Sequence, residues 1–191
     1  MIYAIRNDGY GFQELHLEID DFIDNFPEEI GFHEAQDFSL INHSMSSWWQ
    51  PIDTHFSAIE GDTKAPVPDI AKWINATLVL SPKAFLAIGE TLKDSGEFLP
   101  ININGQEFQI FNCLTMLNID STQSEKGSYE GEETGWKTIA FNMIEASKLV
   151  VFKSPDQGCL DLFCGEYLKS LITKHHLKGV TFDGNLVRNF D

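Results

Sequence analysis

The sequence predicts an α+β fold: a mixed, largely antiparallel sheet with two similar strand-helix-strand units and an acidic N-terminal elaboration. Three observations predict it. Short apolar or alternating runs of strand length outnumber helical repeats. Their connections are short, which favours antiparallel neighbours. Residues 81–96 and 164–179 also share one pattern, in which a small polar residue precedes an apolar helical face and a glycine closes the segment.

The first unit spans residues 78–103. Residues 78–80 form an apolar run of strand type, and Ser81 followed by Pro82 predicts an N-cap and the first position of a helix. Apolar residues then recur at helical spacing, and we expect them to be buried: Phe85, Ile88 and Leu92.

A hairpin follows this helix. Gly96 is expected to end the helix in the left-handed conformation, which glycine adopts without strain. Residues 97–103 and 107–114 read as two strands, and Asn104-Gly105 between them is a strong signal for a tight turn.

The second unit repeats the first near the C-terminus, and we expect the two to pack together. Residues 160–163 are a strand candidate, Cys164 stands where Ser81 stood, and Gly179 precedes a strand at residues 180–182. The buried face of its helix is predicted to contain Leu168, Leu171 and Ile172.

The rest of the chain reads mainly as strands and loops. Residues 1–6 predict a strand. Residues 13–22 alternate between apolar and polar side chains, as in a half-buried strand, with Glu14, His16, Glu18 and Asp20 on the solvent side. Residues 38–49 are a further strand candidate. Residues 121–135 contain no aliphatic side chain and predict an exposed loop, and residues 149–152 predict a strand.

Composition predicts a single folded domain, with residues 1–63 as its acidic N-terminal part and residues 64–191 as its α+β part. The three cysteines form no C-x-x-C pair, so we expect reduced, mostly buried thiols in a cytoplasmic protein. No apolar run approaches the length of a membrane span, and the N-terminus lacks the pattern of a secretion signal.

The negative charge is concentrated near the N-terminus. Residues 1–63 contain one basic and thirteen acidic residues, a net charge of −12, while the whole chain carries −16. Such a surface repels nucleic acid and anionic lipid, and it speeds the encounter with a basic protein. The charge therefore predicts a basic protein partner, with no nucleic acid and no membrane.

Catalytic motifs are absent from the sequence. It contains no glycine-rich nucleotide loop, no G-x-S-x-G and no H-E-x-x-H. Cys164, at a predicted helix N-terminus, is a nucleophile only if a histidine lies nearby, and capping is the simpler role. Four histidines lie among the acids without a chelating spacing, so neither metal nor cofactor is predicted: His16, His33, His43 and His55.

A partner-binding surface is the hypothesis that the residues support best. Clustered acids usually form a solvated surface, and tryptophans are usually core, yet acids steer a basic partner and presented tryptophans anchor it. The candidate residues are Asp20, Asp21, Asp24, Glu28 and Glu29 for steering, with Trp48 and Trp49 as anchors.

Several segments carry a family resemblance. They are Pro68-Asp69-Ile70, LVLSPKAFLAIGETL, GEFLPININGQEFQIFNCL, Asp120 with Ser124, LVVFKSPD and LFCGEYLKSLITKHHLKGVTF. Together they resemble the immunity protein eleven family of bacterial polymorphic-toxin systems, over residues 66–182. The resemblance implies a small cytoplasmic protein that binds and neutralises a cognate toxin and has no catalytic residues.

Two hypotheses of different classes remain open. The first is a non-enzymatic immunity protein that occludes a basic toxin domain with its acidic surface. The alternative is a small cytoplasmic hydrolase or transferase that uses histidine, aspartate and glutamate residues of the N-terminal half.

Overall fold

The computed structural model describes residues 1–18, 20–23, 26, 30–58 and 64–187. Its strands are β1 (Ile2–Asn7), β2 (Glu14–His16), β3 (Ile52–Ser57), β4 (Ile70–Lys72), β5 (Thr77–Leu80), β6 (Gly96–Ile103), β7 (Gln106–Cys113), β8 (Glu125–Tyr129), β9 (Glu132–Thr138), β10 (Val151–Phe152), β11 (Phe163–Gly165) and β12 (Val180–Asp183). Its α-helices are α1 (Asp20–Ile23), α2 (Phe32–Asp37), α3 (Pro82–Leu92), α4 (Met143–Ala146) and α5 (Glu166–Lys174). The predicted α+β class is confirmed.

The strands pair into mixed, largely antiparallel sheets. A six-stranded sheet has the order β2-β3-β6-β7-β5-β4, with β3 and β6 as its parallel pair. A four-stranded antiparallel sheet has the order β10-β11-β1-β12, and β8 pairs with β9. Strands from residues 1–63 therefore lie in both large sheets beside strands from residues 64–191.

Both predicted units are split β-α-β units, in which a third strand lies between the two strands that the helix connects. Strand β7 lies between β5 and β6, and β1 lies in the same way between β11 and β12. The two helices bury apolar residues in one shared cluster that contains Ile88, Leu92, Leu168 and Ile172. The prediction that the two units pack together is confirmed.

Helix α3 begins as predicted but turns a different face to the core. The Ser81 hydroxyl accepts a hydrogen bond from the Ala84 amide at 3.2 Å, so Ser81 is the N-cap. Ala84, Ile88 and Leu92 form the buried stripe, each four residues after the last. The predicted burial of Phe85 was wrong: its side chain is 38% exposed and lies beside the stripe.

Gly96 does not end α3. The helix ends at Leu92, and Gly96 has an extended backbone with φ 178° inside β6, so the predicted left-handed conformation was wrong. Glycine is needed there for space, because a Cβ atom at this position would lie 2.1 Å from the Asn112 carbonyl oxygen. The predicted hairpin turn is confirmed, with positive φ at both Asn104 and Gly105.

Cys164 is also one position away from its predicted place. It lies in β11, where it pairs with Tyr3 and Val151, and Gly165 is the N-cap of α5. The predicted strand at residues 160–163 is therefore displaced toward the C-terminus. A thiol fully enclosed between two strands is a core residue and not a cap.

Other strand predictions were too long or misplaced. The alternating segment contains only the short strand β2 before the chain turns into α1. Residues 38–49 form turns and no strand, and they follow a helix, α2, that the sequence analysis missed. Residues 125–138 form the hairpin β8–β9 where residues 121–135 were expected to be a loop. Most of the hairpin's side chains are exposed, as predicted for the loop.

The N-terminal part covers one face of the six-stranded sheet. Phe38, Met45 and Trp49 pack with Leu99 and Ile110 of the sheet in one apolar cluster. A charged side chain closes its edge. The Glu97 carboxylate accepts hydrogen bonds from the Ser44 hydroxyl (2.7 Å), two backbone amides at residues 45 and 46 (2.8 and 3.0 Å) and the Asn112 side chain (2.7 Å).

Candidate protein-docking surface

The opposite face of the six-stranded sheet is only partly covered. Helix α3 packs on its β5 and β7 side, where Leu78, Leu80 and Phe111 join the α3 cluster. Exposed polar residues lie on the rest of this face, on β2, β3 and β6 and at one position of β7. We call this region the open sheet face, defined by Glu14, His16, Asp53, His55, Asn102 and Glu107.

Strand register brings these residues together from distant parts of the chain. Asp53 of β3 lies opposite Asn102 of β6, which lies opposite Glu107 of β7. His16 lies opposite His55, and the two imidazole rings stack with centroids 4.9 Å apart. The result is a continuous polar surface across four strands.

The open sheet face carries negative charge without a compensating lysine or arginine among its six residues. Arg6, the single basic residue of residues 1–63, contributes nothing to it. Its guanidinium Nη1 lies 2.6 Å from the buried Asp161 carboxylate, which also binds the Lys72 ammonium at 3.1 Å. This buried cluster joins β1 to β4 and leaves the outer surface acidic.

The structure describes two of the five predicted steering acids. Asp20 and Asp21 are exposed in α1, shortly after β2 leaves the open sheet face. Asp21 also accepts a hydrogen bond from the Glu18 amide at 2.7 Å. Asp24, Glu28 and Glu29 lie outside the described residues. The predicted exposure of Glu14, His16, Glu18 and Asp20 is confirmed, but their role in binding stays a prediction.

The two predicted anchors have different environments. Trp49 is 6% exposed, packs against Phe26 and donates its indole N–H to the Pro100 carbonyl at 2.9 Å. Trp48 is half-buried and stacks on His43 with centroids 5.0 Å apart. Trp49 therefore belongs to the core, and Trp48 keeps surface that a partner can contact.

The three thiols are poor nucleophiles. Cys113, Cys159 and Cys164 are free and buried, as predicted. Burial raises the pKa of Cys113 and of Cys164 to about 12, and it also raises the pKa of Cys159. A thiol with such a pKa stays protonated at neutral pH, and the thiolate is the reactive form.

Among the described residues, no three or more histidine, cysteine, aspartate or glutamate side chains are grouped so as to hold a metal ion. Within the same residues, no helix has the length and apolar character to cross a membrane.

Half of the residues of the open sheet face were not identified from the sequence. Alternation identified Glu14 and His16, but not Asp53, Asn102 and Glu107, which are polar residues alternating with apolar ones in three other strands. That alternation is a weak signal by itself, because it gives no strand order.

The exposed and acidic open sheet face is therefore a candidate protein-docking surface. Comparison of the chain with protein-family models and with curated proteins finds no match.

Proposed function

We propose that this chain is an immunity protein, which binds a cognate bacterial toxin domain and neutralises it by covering its active surface. The motifs quoted above resemble the immunity protein eleven family, and the toxin would be a basic protein. The chain acts without a cofactor and is not an enzyme in this proposal. Its free, buried cysteines fit a reducing compartment, the cytoplasm.

The open sheet face is the observation that carries the proposal. It presents carboxylates from three strands of one sheet, and two of them, Glu14 and Asp53, belong to the N-terminal part, whose net charge is −12. Complementary charge raises the rate of association toward about 10⁸ M⁻¹s⁻¹ at low salt. An immunity protein benefits from fast association because a free toxin does damage before it is bound.

Co-expression tests this proposal directly. The proposal requires a gene for a toxin-like domain beside the gene for this chain, and the product of that neighbouring gene is the probe. We expect the chain to restore growth of cells that express this domain, and the purified pair to bind more weakly at about 300 mM than at about 50 mM NaCl. Failure of the purified pair to bind at either salt concentration would contradict the proposal.

Charge reversal tests whether the acidic residues steer the partner or only keep the chain soluble. Replacing Asp20, Asp21 and Asp24 by lysine should slow association several-fold and flatten its salt dependence, with little change in melting temperature. Association kinetics unchanged at low and high salt would show that these acids only keep the protein soluble.

A hydrolase or transferase remains the second candidate, and one observation favours it. The stacked His16 and His55 rings lie on the same face as Glu14 and Asp53. The double variant His16→Ala with His55→Ala distinguishes the two functions. If the chain is an immunity protein, this variant should lose protection only to the extent that it loses affinity for the toxin. If the chain is an enzyme, the variant should lose protection while its affinity is unchanged.

A further inference from the structure

A groove of about 780 Å³ lies at the border between helix α3 and the open sheet face. Its apolar side is formed by Pro82, Phe85 and Leu86 of α3. Its polar side is formed by Glu90 of the same helix and by Glu107 and Gln109 of β7. Because Glu107 also belongs to the open sheet face, the groove is a continuation of that surface.

The apolar side of the groove is exposed, and packing holds its Phe85 ring in place. Leu86 is 89% exposed, although leucine is among the residues most often found buried. The Phe85 ring meets Phe98 edge-on with centroids 5.0 Å apart. It also lies against Gly89, where a Cβ atom would come within 2.7 Å of the ring. A partner would therefore find the Phe85 ring already positioned beside the exposed Leu86 side chain.

The acidic side of the groove is also positioned. The Gln109 amide donates a hydrogen bond to the Glu107 carboxylate at 2.8 Å. Across the strands, Glu107 continues through Asn102 to Asp53, so negative charge leads away from the groove over the sheet. Glu90 forms an ion pair with Lys93 on α3, which leaves Glu107 as the principal charge facing a ligand.

We propose that this groove anchors a segment of the partner protein in which lysine or arginine side chains flank an apolar side chain. The apolar side chain packs against Phe85 and Leu86, and the cations pair with Glu107 and Asp53. This inference rests on the proposed function and specifies where the toxin is held. The anchor lies on α3 and β7, whereas the steering acids of α1 act at longer range.

Charge complementarity selects this occupant over two others. A second copy of the chain would bring another net charge of −16 toward the same carboxylates. An anionic membrane surface would be repelled in the same way. A basic segment with an apolar side chain satisfies both sides of the groove.

Two substitutions test the two sides separately. Leu86→Ser removes apolar surface without adding charge, and Glu107→Gln removes charge with little change of shape. Their matched controls are Ile144→Ser and Glu145→Gln, because Ile144 is 72% exposed and Glu145 is exposed on another helix, α4. The affinity of each variant for the toxin-like domain is measured by calorimetry at about 50 and about 300 mM NaCl.

We expect Leu86→Ser to weaken binding by about tenfold at both salt concentrations, because a buried anchor acts through packing. Glu107→Gln should weaken binding several-fold at low salt and much less at high salt. Both control variants should bind within about twofold of the wild type. Melting temperatures near that of the wild type verify that each variant is folded.

The possible failures are distinguishable. If the wild type binds the toxin-like domain and Leu86→Ser binds equally well, the groove is not the anchor, while the proposed function stands. If the wild type does not bind, both the groove and the proposed function are wrong. If sedimentation shows a wild-type dimer that Leu86→Ser dissociates, the groove belongs to a second copy and the proposal is overturned.

Discussion

The two apolar faces of α3 predict a measurable difference in stability between Ile88→Ala and Phe85→Ala. Ile88 is fully buried, so its truncation should lower the free energy of unfolding by about 3–4 kcal/mol. A fully buried phenylalanine costs about 3–5 kcal/mol when truncated. Because 38% of Phe85 is exposed, we expect Phe85→Ala to cost about 2 kcal/mol.

Urea unfolding followed by circular dichroism measures this difference. The midpoint should fall further for Ile88→Ala than for Phe85→Ala, with an unchanged slope. In a thermal scan the corresponding shifts are about 10 °C and about 6 °C for a chain of this size. Leu86→Ala, on the exposed side, is the control and should change stability by less than about 0.5 kcal/mol. If Phe85→Ala cost as much as Ile88→Ala, the ring would belong to the core, and α3 would have to be rotated about its axis relative to the sheet.

Gly96 and Lys153 provide two further tests. Replacing Gly96 by alanine or by asparagine should lower stability by about 3 kcal/mol in both cases, because any Cβ atom meets the Asn112 carbonyl oxygen. An asparagine variant as stable as the wild type would instead indicate a left-handed turn at this position. Lys153 is fully buried, and its ammonium donates a hydrogen bond to the Ser39 carbonyl at 2.6 Å. Burial lowers the pKa of Lys153 from 10.5. The unfolded chain therefore holds this proton to higher pH than the folded chain does. As a result, the wild type gains stability as pH rises toward 10.5. The stability of Lys153→Met relative to the wild type should therefore decrease between about pH 7 and about pH 10. Urea unfolding of both proteins measures this, and a difference in unfolding free energy that does not change with pH would contradict it.

Local signals in the sequence were sufficient for features that depend on neighbouring residues. Ser81-Pro82 located the start of α3, and Asn104-Gly105 located the hairpin turn, since a cap and a two-residue turn are defined by a few adjacent residues. Signals that needed a tertiary partner were less accurate. Gly96 is of the residue type expected at a helix end, but its small size is required by a carbonyl on the facing strand.

The candidate site divides in the same way. The sequence by itself determined the α+β class, the two related strand-helix-strand units, the concentration of acids in residues 1–63 and the exposure of Glu14 and His16, because composition and side-chain alternation are local properties. The tertiary structure alone decided that Trp49 is buried and that Asp53 lies in one row with Glu107. The parallel pairing of β3 with β6 creates that row, and the position of α3 leaves it uncovered. Residues far apart in sequence share a surface only once strand order and helix packing are settled, and neither is encoded in any single segment.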